Sequence, residues 1–173
     1  TFKMCTLIAA MENRSKNPKS EYFGRFLYLP GEIIQDKGIF TKYAGFSPMC
    51  LIYKSNPGVT HGELTAERAL EVSCNYFFYV LGDRLSIDYL NTTANALGLG
   101  VPTGIELTEK VGWVTDEASK KAAYGETGVD SQVTTGDRIL AAIGQAENRF
   151  SPLQLCVYAS TLANKGTRMK ATF

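Results

Sequence analysis

Two stretches of this 173-residue chain hold side chains able to move a proton. The first is Thr1-Phe2-Lys3, where a lysine stands in the opening turn of an otherwise apolar segment. Burial disfavours a charged amine, and so does the positive end of a helix dipole. Both effects lower the pKa of a lysine, as action as a base requires. On position alone the commoner arrangement is a lysine that runs its amine out to solvent from a helix end. The second stretch is Ser73-Cys74-Asn75, between two apolar segments. Read as an extended link, it points residues two apart the same way, so that a hydroxyl and an amide face one site. The hydroxyl can relay a proton, and the amide can bond a carbonyl or the lysine. A helix break with local capping bonds would use the same three residues.

Metal binding is the other chemistry to weigh. Cys50, His61 and Cys74 are residue types that ligate zinc, and His61 is the only histidine. Their spacing is loose, and two buried thiols with a loop-bonding histidine account for the same residues. Zinc held there would brace the loop beneath Ser73 and Asn75 rather than catalyse. Apart from zinc, no cofactor is called for. The four cysteines (Cys5, Cys50, Cys74 and Cys156) are spread without a CxxC pair, so no disulfide framework is expected.

The elements that must position these groups read mainly as helices. Phe2 to Met11 is apolar nearly all round, which predicts a helix buried on every side. Asn13 to Ser20 is a polar, basic loop. Short β-like runs at 26–29, 33–34 and 39–40 are broken at Pro30-Gly31 and Gly38, which predicts small ribbons or extended loops. Thr65 caps a short helix to about Val72, with Glu67 in its first turn. An apolar run follows from Tyr76 to Leu81. Its Tyr76-Phe77-Phe78-Tyr79 cluster predicts core rather than a stacking platform. Ser86 caps a third helix carrying Ile87, Leu90, Ala94 and Leu97 on one face, closed by Gly98. Ser151-Pro152-Leu153-Gln154 is a capping box with proline at the first helical position, and Asn164-Lys165-Gly166 ends that helix. Arg168 to Phe173 reads as the start of a strand. Trp113, in Val111-Gly112-Trp113-Val114, is expected to pack. The pattern is α+β, a helical lobe cut away from a sheet.

Composition is that of an ordinary globular domain, 45% hydrophobic and 20% charged with net charge +1. Nothing in it favours nucleic-acid binding. No apolar run approaches the roughly 20 residues that span a bilayer.

Taken together and in order, these segments resemble the transpeptidase domain of class B, monofunctional, penicillin-binding proteins. Thr1-Phe2-Lys3-Met4 resembles the tail of the family's Gly-Ser-Thr-x-Lys run, which holds the SxxK motif. Lys3 then corresponds to the motif lysine, and the nucleophilic serine would stand one place before Thr1. His61-Gly62-Glu63-Leu64, Ala69-Leu70 and Ser73-Cys74-Asn75-Tyr76-Phe77 are similar to the stretch leading into the SxN motif. Leu97-Gly98 and Thr103-Gly104-Ile105-Glu106 match the segment after it. Ile143-Gly144-Gln145, Ser151 to Leu155 and Ala163-Asn164-Lys165-Gly166 resemble the run GQG…tPLQlA…aN-G. Ala146 stands where the family usually has a third glycine, and Ala171 where proline is common. The only Lys-Gly-Thr, Lys165 to Thr167, has the wrong order for the family's KTG motif.

The resemblance implies one partial domain over residues 1–173, the helical lobe of the penicillin-binding-protein and serine β-lactamase-like fold with its central sheet largely missing. It implies a D,D-transpeptidase that cross-links peptidoglycan stem peptides through a serine acyl-enzyme and is acylated by β-lactams. Lys3 would take the serine proton, Ser73 would pass a proton to the leaving group, and Asn75 would hold the substrate amide and position Lys3. A KTG strand would bind the substrate carboxylate and supply part of an oxyanion hole. This chain by itself is expected to be inactive. The implied location is the extracytoplasmic face of the bacterial membrane, with the anchor elsewhere. The implied partners are the stem peptide, β-lactams and a glycosyltransferase of the cell-wall machinery, and no nucleic acid. Two other readings stay open: a serine β-lactamase or β-lactam sensor, with Glu67 and Glu106 the glutamates to test, and a non-catalytic scaffolding relic.

Overall fold

A computed structural model describes residues 2–126 and 131–173; Thr1 lies outside the described residues. Helices dominate: α1 (Lys3–Glu12), α2 (Leu51–Ser55), α3 (Ala66–Glu71), α4 (Asn75–Arg84), α5 (Ile87–Ala96), α6 (Glu117–Tyr124), α7 (Thr135–Ala141) and α8 (Pro152–Ala163). Among the described residues there are two strands, β1 (Ile34–Gln35) and β2 (Glu63–Leu64), which form one antiparallel pair with Ile34 opposite Leu64. The architecture is the α+β helical lobe expected, with a two-stranded ribbon in place of a sheet.

α4 is the centre of the core. Its Phe77 and Phe78 are fully buried, Tyr76 and Tyr79 nearly so, and the helix packs against α1 and α7. Gly82 permits the approach of α7, because a Cβ there would come within 2.6 Å of the Ala142 Cβ. α1 crosses both α4 and α5, and Thr6 ties it down by donating to the Ala142 carbonyl at 2.6 Å. Phe2 stacks on Phe150 at 5.6 Å, fixing the start of α1. The aromatic run of α4 is therefore core.

The capping signals are realised. Ser86 and Ser151 accept from the amides of Tyr89 and Gln154, and Gln154 reciprocates on the Ser151 amide. α5 ends through Gly98, with the Leu99 amide reaching back to the Ala94 carbonyl. Gln154, fully buried, also accepts from the Gly112 amide and donates to the Val101 carbonyl, pinning the 101–113 loop to α8.

Several expectations are corrected. α1 is not buried on every side, since Met4 and Met11 are exposed and Ile8 half-buried along one stripe. Apolarity gives the stripe, but no described element covers it. Residues 168–173 form no strand; their one backbone link to another segment joins the Ala171 amide to the Thr103 carbonyl. A strand needs a ladder of such bonds, and one to the 103–106 loop does not make it. Thr65 precedes α3 without a side-chain cap bond. Trp113 is 38% exposed, bridged to Arg149 through paired backbone bonds rather than packed inside. α2, α6 and α7 lack a clear apolar stripe in the sequence, and capping boxes at Asp116 and Thr134 start the latter two.

Candidate active site

The end of α3 shapes the site. The Cys74 amide donates to the Ala69 carbonyl at 2.9 Å and the Ser73 amide to the Leu70 carbonyl at 3.1 Å. This pair of bonds is a Schellman motif, which places Ser73 at the left-handed position that usually holds glycine. Ser73 has φ of 51°. The expected extended link is thus a tight left-handed turn, because the helix closes its orphan carbonyls before α4 begins at Asn75.

The turn presents three oxygens to one amine. Lys3, from the first turn of α1, donates from Nζ to the Ser73 carbonyl at 2.7 Å, to Ser73 Oγ at 2.9 Å and to Asn75 Oδ1 at 2.6 Å. Three donors meet three acceptors, so the ammonium is saturated. Lys3 is 9% exposed and does not run to solvent. Burial lowers its pKa below the ordinary 10.5, and the neighbouring Cys74 and Cys50 pull the other way. Once neutral, Nζ can accept from the Ser73 hydroxyl, reversing that bond. The arrangement joins an amine, a hydroxyl and an amide-bearing side chain at one point.

Beneath it lies a second cluster. Asp36, Cys50, His61 and Cys74 bring their ligand atoms within 4.8 Å of one another. β1 and β2 set Asp36 beside His61: the Asp36 amide donates to the Gly62 carbonyl at 2.8 Å, and Asp36 Oδ2 accepts from the His61 amide at 3.0 Å and lies 2.8 Å from Nδ1. Cys50 leads into α2, and Cys74 into α4. Cys50 Sγ is 3.6 Å from His61 Nδ1 and 3.7 Å from Cys74 Sγ; Cys74 Sγ donates to Asp36 Oδ2 at 3.5 Å. Burial pushes the Asp36 carboxyl up, yet the amides of His61 and Gly38, with the His61 ring and Cys74 thiol, hold it below the usual range. The hydrogen bond from Cys74 lowers the Cys50 thiol, and the same bond together with burial raises that of Cys74.

Tertiary folding therefore gathers Lys3, Ser73 and Asn75 at one point, and Cys50, His61 and Cys74 at another, with Cys74 shared by turn and cluster. Asp36 escaped the sequence reading. Its one signal was an Asp-x-Gly turn between β-like runs, where Asp36 Oδ1 now accepts from the Gly38 amide at 2.8 Å. Glu67 and Glu106 are both exposed, and Glu106 is engaged by Lys170 and the Phe173 amide.

The family described as penicillin binding protein transpeptidase domain matches residues 1–173. The peptidoglycan D,D-transpeptidase MrdA of Salmonella typhimurium is 32% identical over 107 residues, which are 61% of this chain and 16% of that protein. The chain thus spans only a small part of the curated relatives it matches. The Helicobacter pylori complex between penicillin-binding protein PBP2 and MreC superimposes with a TM-score of 0.78 at 23% identity, covering 99% of this chain and 28% of the other. Penicillin-binding protein A of Mycobacterium tuberculosis, as its penicillin G acyl-enzyme, gives 0.69 at 21% identity, over 99% and 33%. These structures share the fold.

Proposed function

Since this chain belongs to the family of penicillin binding protein transpeptidase domains, we propose that it supplies the proton-handling half of a serine D,D-transpeptidase that cross-links peptidoglycan stem peptides. The observation that carries this reading is the convergence of Lys3 Nζ on Ser73 and Asn75. A serine standing one place before Thr1 would lie at the entry to α1, where a helix N-terminus favours developing negative charge. Lys3, lowered by burial, takes the proton of that serine as its oxygen attacks the penultimate D-alanine carbonyl. The Ser73 hydroxyl passes a proton to the departing D-alanine amine. The Asn75 carboxamide fixes Lys3 through Oδ1 and turns its NH2 toward the substrate amide. An amine of a second stem peptide then resolves the ester, and the relay runs in reverse. A β-lactam enters by the same attack and stays as the ester.

The exposure of Glu67 and Glu106, with neither bonded to Lys3 or Ser73, favours acyl transfer to an amine over a hydrolase with a deacylating glutamate. The saturated Lys3 contacts argue against a scaffolding relic. The proposed location is the extracytoplasmic face of the membrane; among the described residues no helix is long and apolar enough to cross it. Proposed partners are the stem peptide, β-lactams, a cell-wall glycosyltransferase and an MreC-like protein, the last by similarity to the Helicobacter pylori complex. The test is intact mass of the full-length protein after incubation with penicillin. One penicilloyl adduct is expected, sharply slowed by Lys3→Ala; equal acylation of the variant would sink the assignment of Lys3.

A second observation supports a structural zinc ion on Asp36, Cys50, His61 and Cys74. With Zn–S bonds of about 2.3 Å, tetrahedral sulfurs stand roughly 3.8 Å apart, and the two thiols are 3.7 Å apart here. Asp36 and His61, at 2.8 Å, would have to part slightly. Four protein ligands close the coordination sphere, so the ion would brace the turn carrying Ser73 and Asn75 and leave the acyl transfer to Lys3. Metal analysis of the purified protein is expected to find one zinc per chain, lost in His61→Ala.

A further inference from the structure

We propose that Cys50 and Cys74 form a site of reversible oxidation, closing to a disulfide that tethers the catalytic turn to the start of α2. The inference extends the metal reading by giving the same cluster a second, metal-free closed state. Geometry carries it. The two sulfurs already touch at 3.7 Å, and a disulfide of about 2.05 Å needs each to move by less than about an ångström. Both thiols are fully buried. Cys74 follows the strained Ser73 and precedes Asn75, and its backbone is clamped to the Ala69 carbonyl. A bond to Cys50 therefore fixes the turn from its side chain as well as its backbone.

Access selects the oxidant. The cluster reaches solvent only at the edge of His61, whose side chain is 13% exposed, while Asp36 is 0% exposed. A small peroxide can enter there, whereas a bulky disulfide such as oxidised glutathione cannot without opening the loop. One thiolate attacks the peroxide and becomes a sulfenic acid, releasing hydroxide. The second thiol attacks that sulfur and expels the oxygen as water, so that two thiols and one peroxide give one disulfide and two waters. Cys5 lies buried in α1 and Cys156 is exposed on α8, and they serve as internal controls.

The experiment treats the full-length protein with hydrogen peroxide after a chelator has removed any bound metal, quenches with an alkylating agent and maps peptides with and without reductant. The expected result is a single reducible Cys50–Cys74 cross-link, a mass loss of two hydrogens from the unalkylated pair, and two fewer alkylated thiols. Oxidised glutathione at the same concentration should form that bond at least tenfold more slowly. In Cys74→Ser and Cys50→Ser the cross-link should vanish, and the remaining thiol should trap as a dimedone adduct once the oxidised protein is unfolded. Absence of the Cys50–Cys74 peptide while Cys156 oxidises fully overturns the proposal, as does a cross-link from Cys50 or Cys74 to another cysteine. Stoichiometric zinc added beforehand should slow closure at least tenfold. If zinc neither binds nor protects and the cross-link still forms, the metal reading fails and the disulfide stands.

Discussion

Lys3 Nζ sits 2.6 Å from Asn75 Oδ1, a bond between the first turns of two helices that lie 72 residues apart in sequence. α1 and α4 meet with their N-termini at the same point, so one positive amine faces two helix entries at once. That arrangement favours a lysine able to give up its proton.

The pH dependence follows from this. Burial lowers the Lys3 pKa, so the rate of penicillin acylation should rise with pH and level off below 10.5. A lysine whose pKa is lower folded than unfolded binds fewer protons in the folded state between the two values. Its burial therefore costs stability at neutral pH, and that cost fades as pH climbs through the folded pKa toward 10.5. Lys3→Ala should remove the acylation profile and slow the reaction by about 10²–10⁴-fold. Acylation rates across pH for both proteins check this.

Ser73 separates function from stability. Its φ of 51° costs roughly 1 kcal/mol for a residue with a Cβ. Ser73→Gly should melt above Ser73→Ala, since both lose the bond to Lys3 and only glycine sheds the strain, and both should slow acylation by about 10²-fold or more through loss of the hydroxyl. Thermal melts alongside acylation rates distinguish the two effects.

Ala146 stands at φ of 58°, in the left-handed region that favours glycine. Ala146→Gly is expected to stabilise the protein by about 1 kcal/mol, because strain relief outweighs the added freedom of the unfolded chain. Denaturant unfolding should show a higher midpoint with an unchanged slope.

Gln154 satisfies two backbone amides and one carbonyl from a position with no exposure. Gln154→Leu leaves these partly buried groups without their partner and should cost about 1–3 kcal/mol. The loss should appear as faster hydrogen exchange at Gly112 and Trp113.

Chelation tests the cluster beneath the turn. If zinc binds Asp36, Cys50, His61 and Cys74, removing it should lower stability by about 2.7 kcal/mol when the metal had been present at 100 times its Kd. His61→Ala should melt at the chelated temperature with or without added zinc. Melting scans of both proteins with chelator and with zinc provide the comparison.

Much of this was legible in the sequence, because its signals are local. Capping pairs such as Ser151 with Gln154, helix stops such as Gly98 and the motif spacing around Lys3 and Ser73-Cys74-Asn75 depend on neighbours a few residues away. They determined the α8 boundaries, the family and the three residues that meet at the Lys3 amine. Tertiary structure decided the rest. The sequence could show that Lys3 was anomalous but not whether it faced solvent or Ser73, because burial is set by the crossing of α1 with α4 and α5. It read the Ser73 turn as extended, since a left-handed serine has no local signature when glycine is the usual occupant. Asp36 was passed over because an aspartate in a loop turn is common, and only the β1–β2 pairing brings it within 2.8 Å of His61. Expectations that failed, the strand at 168–173 and the fully buried α1, did so for one physical reason: both depend on a partner surface, and a partner is not a property of the segment that needs it.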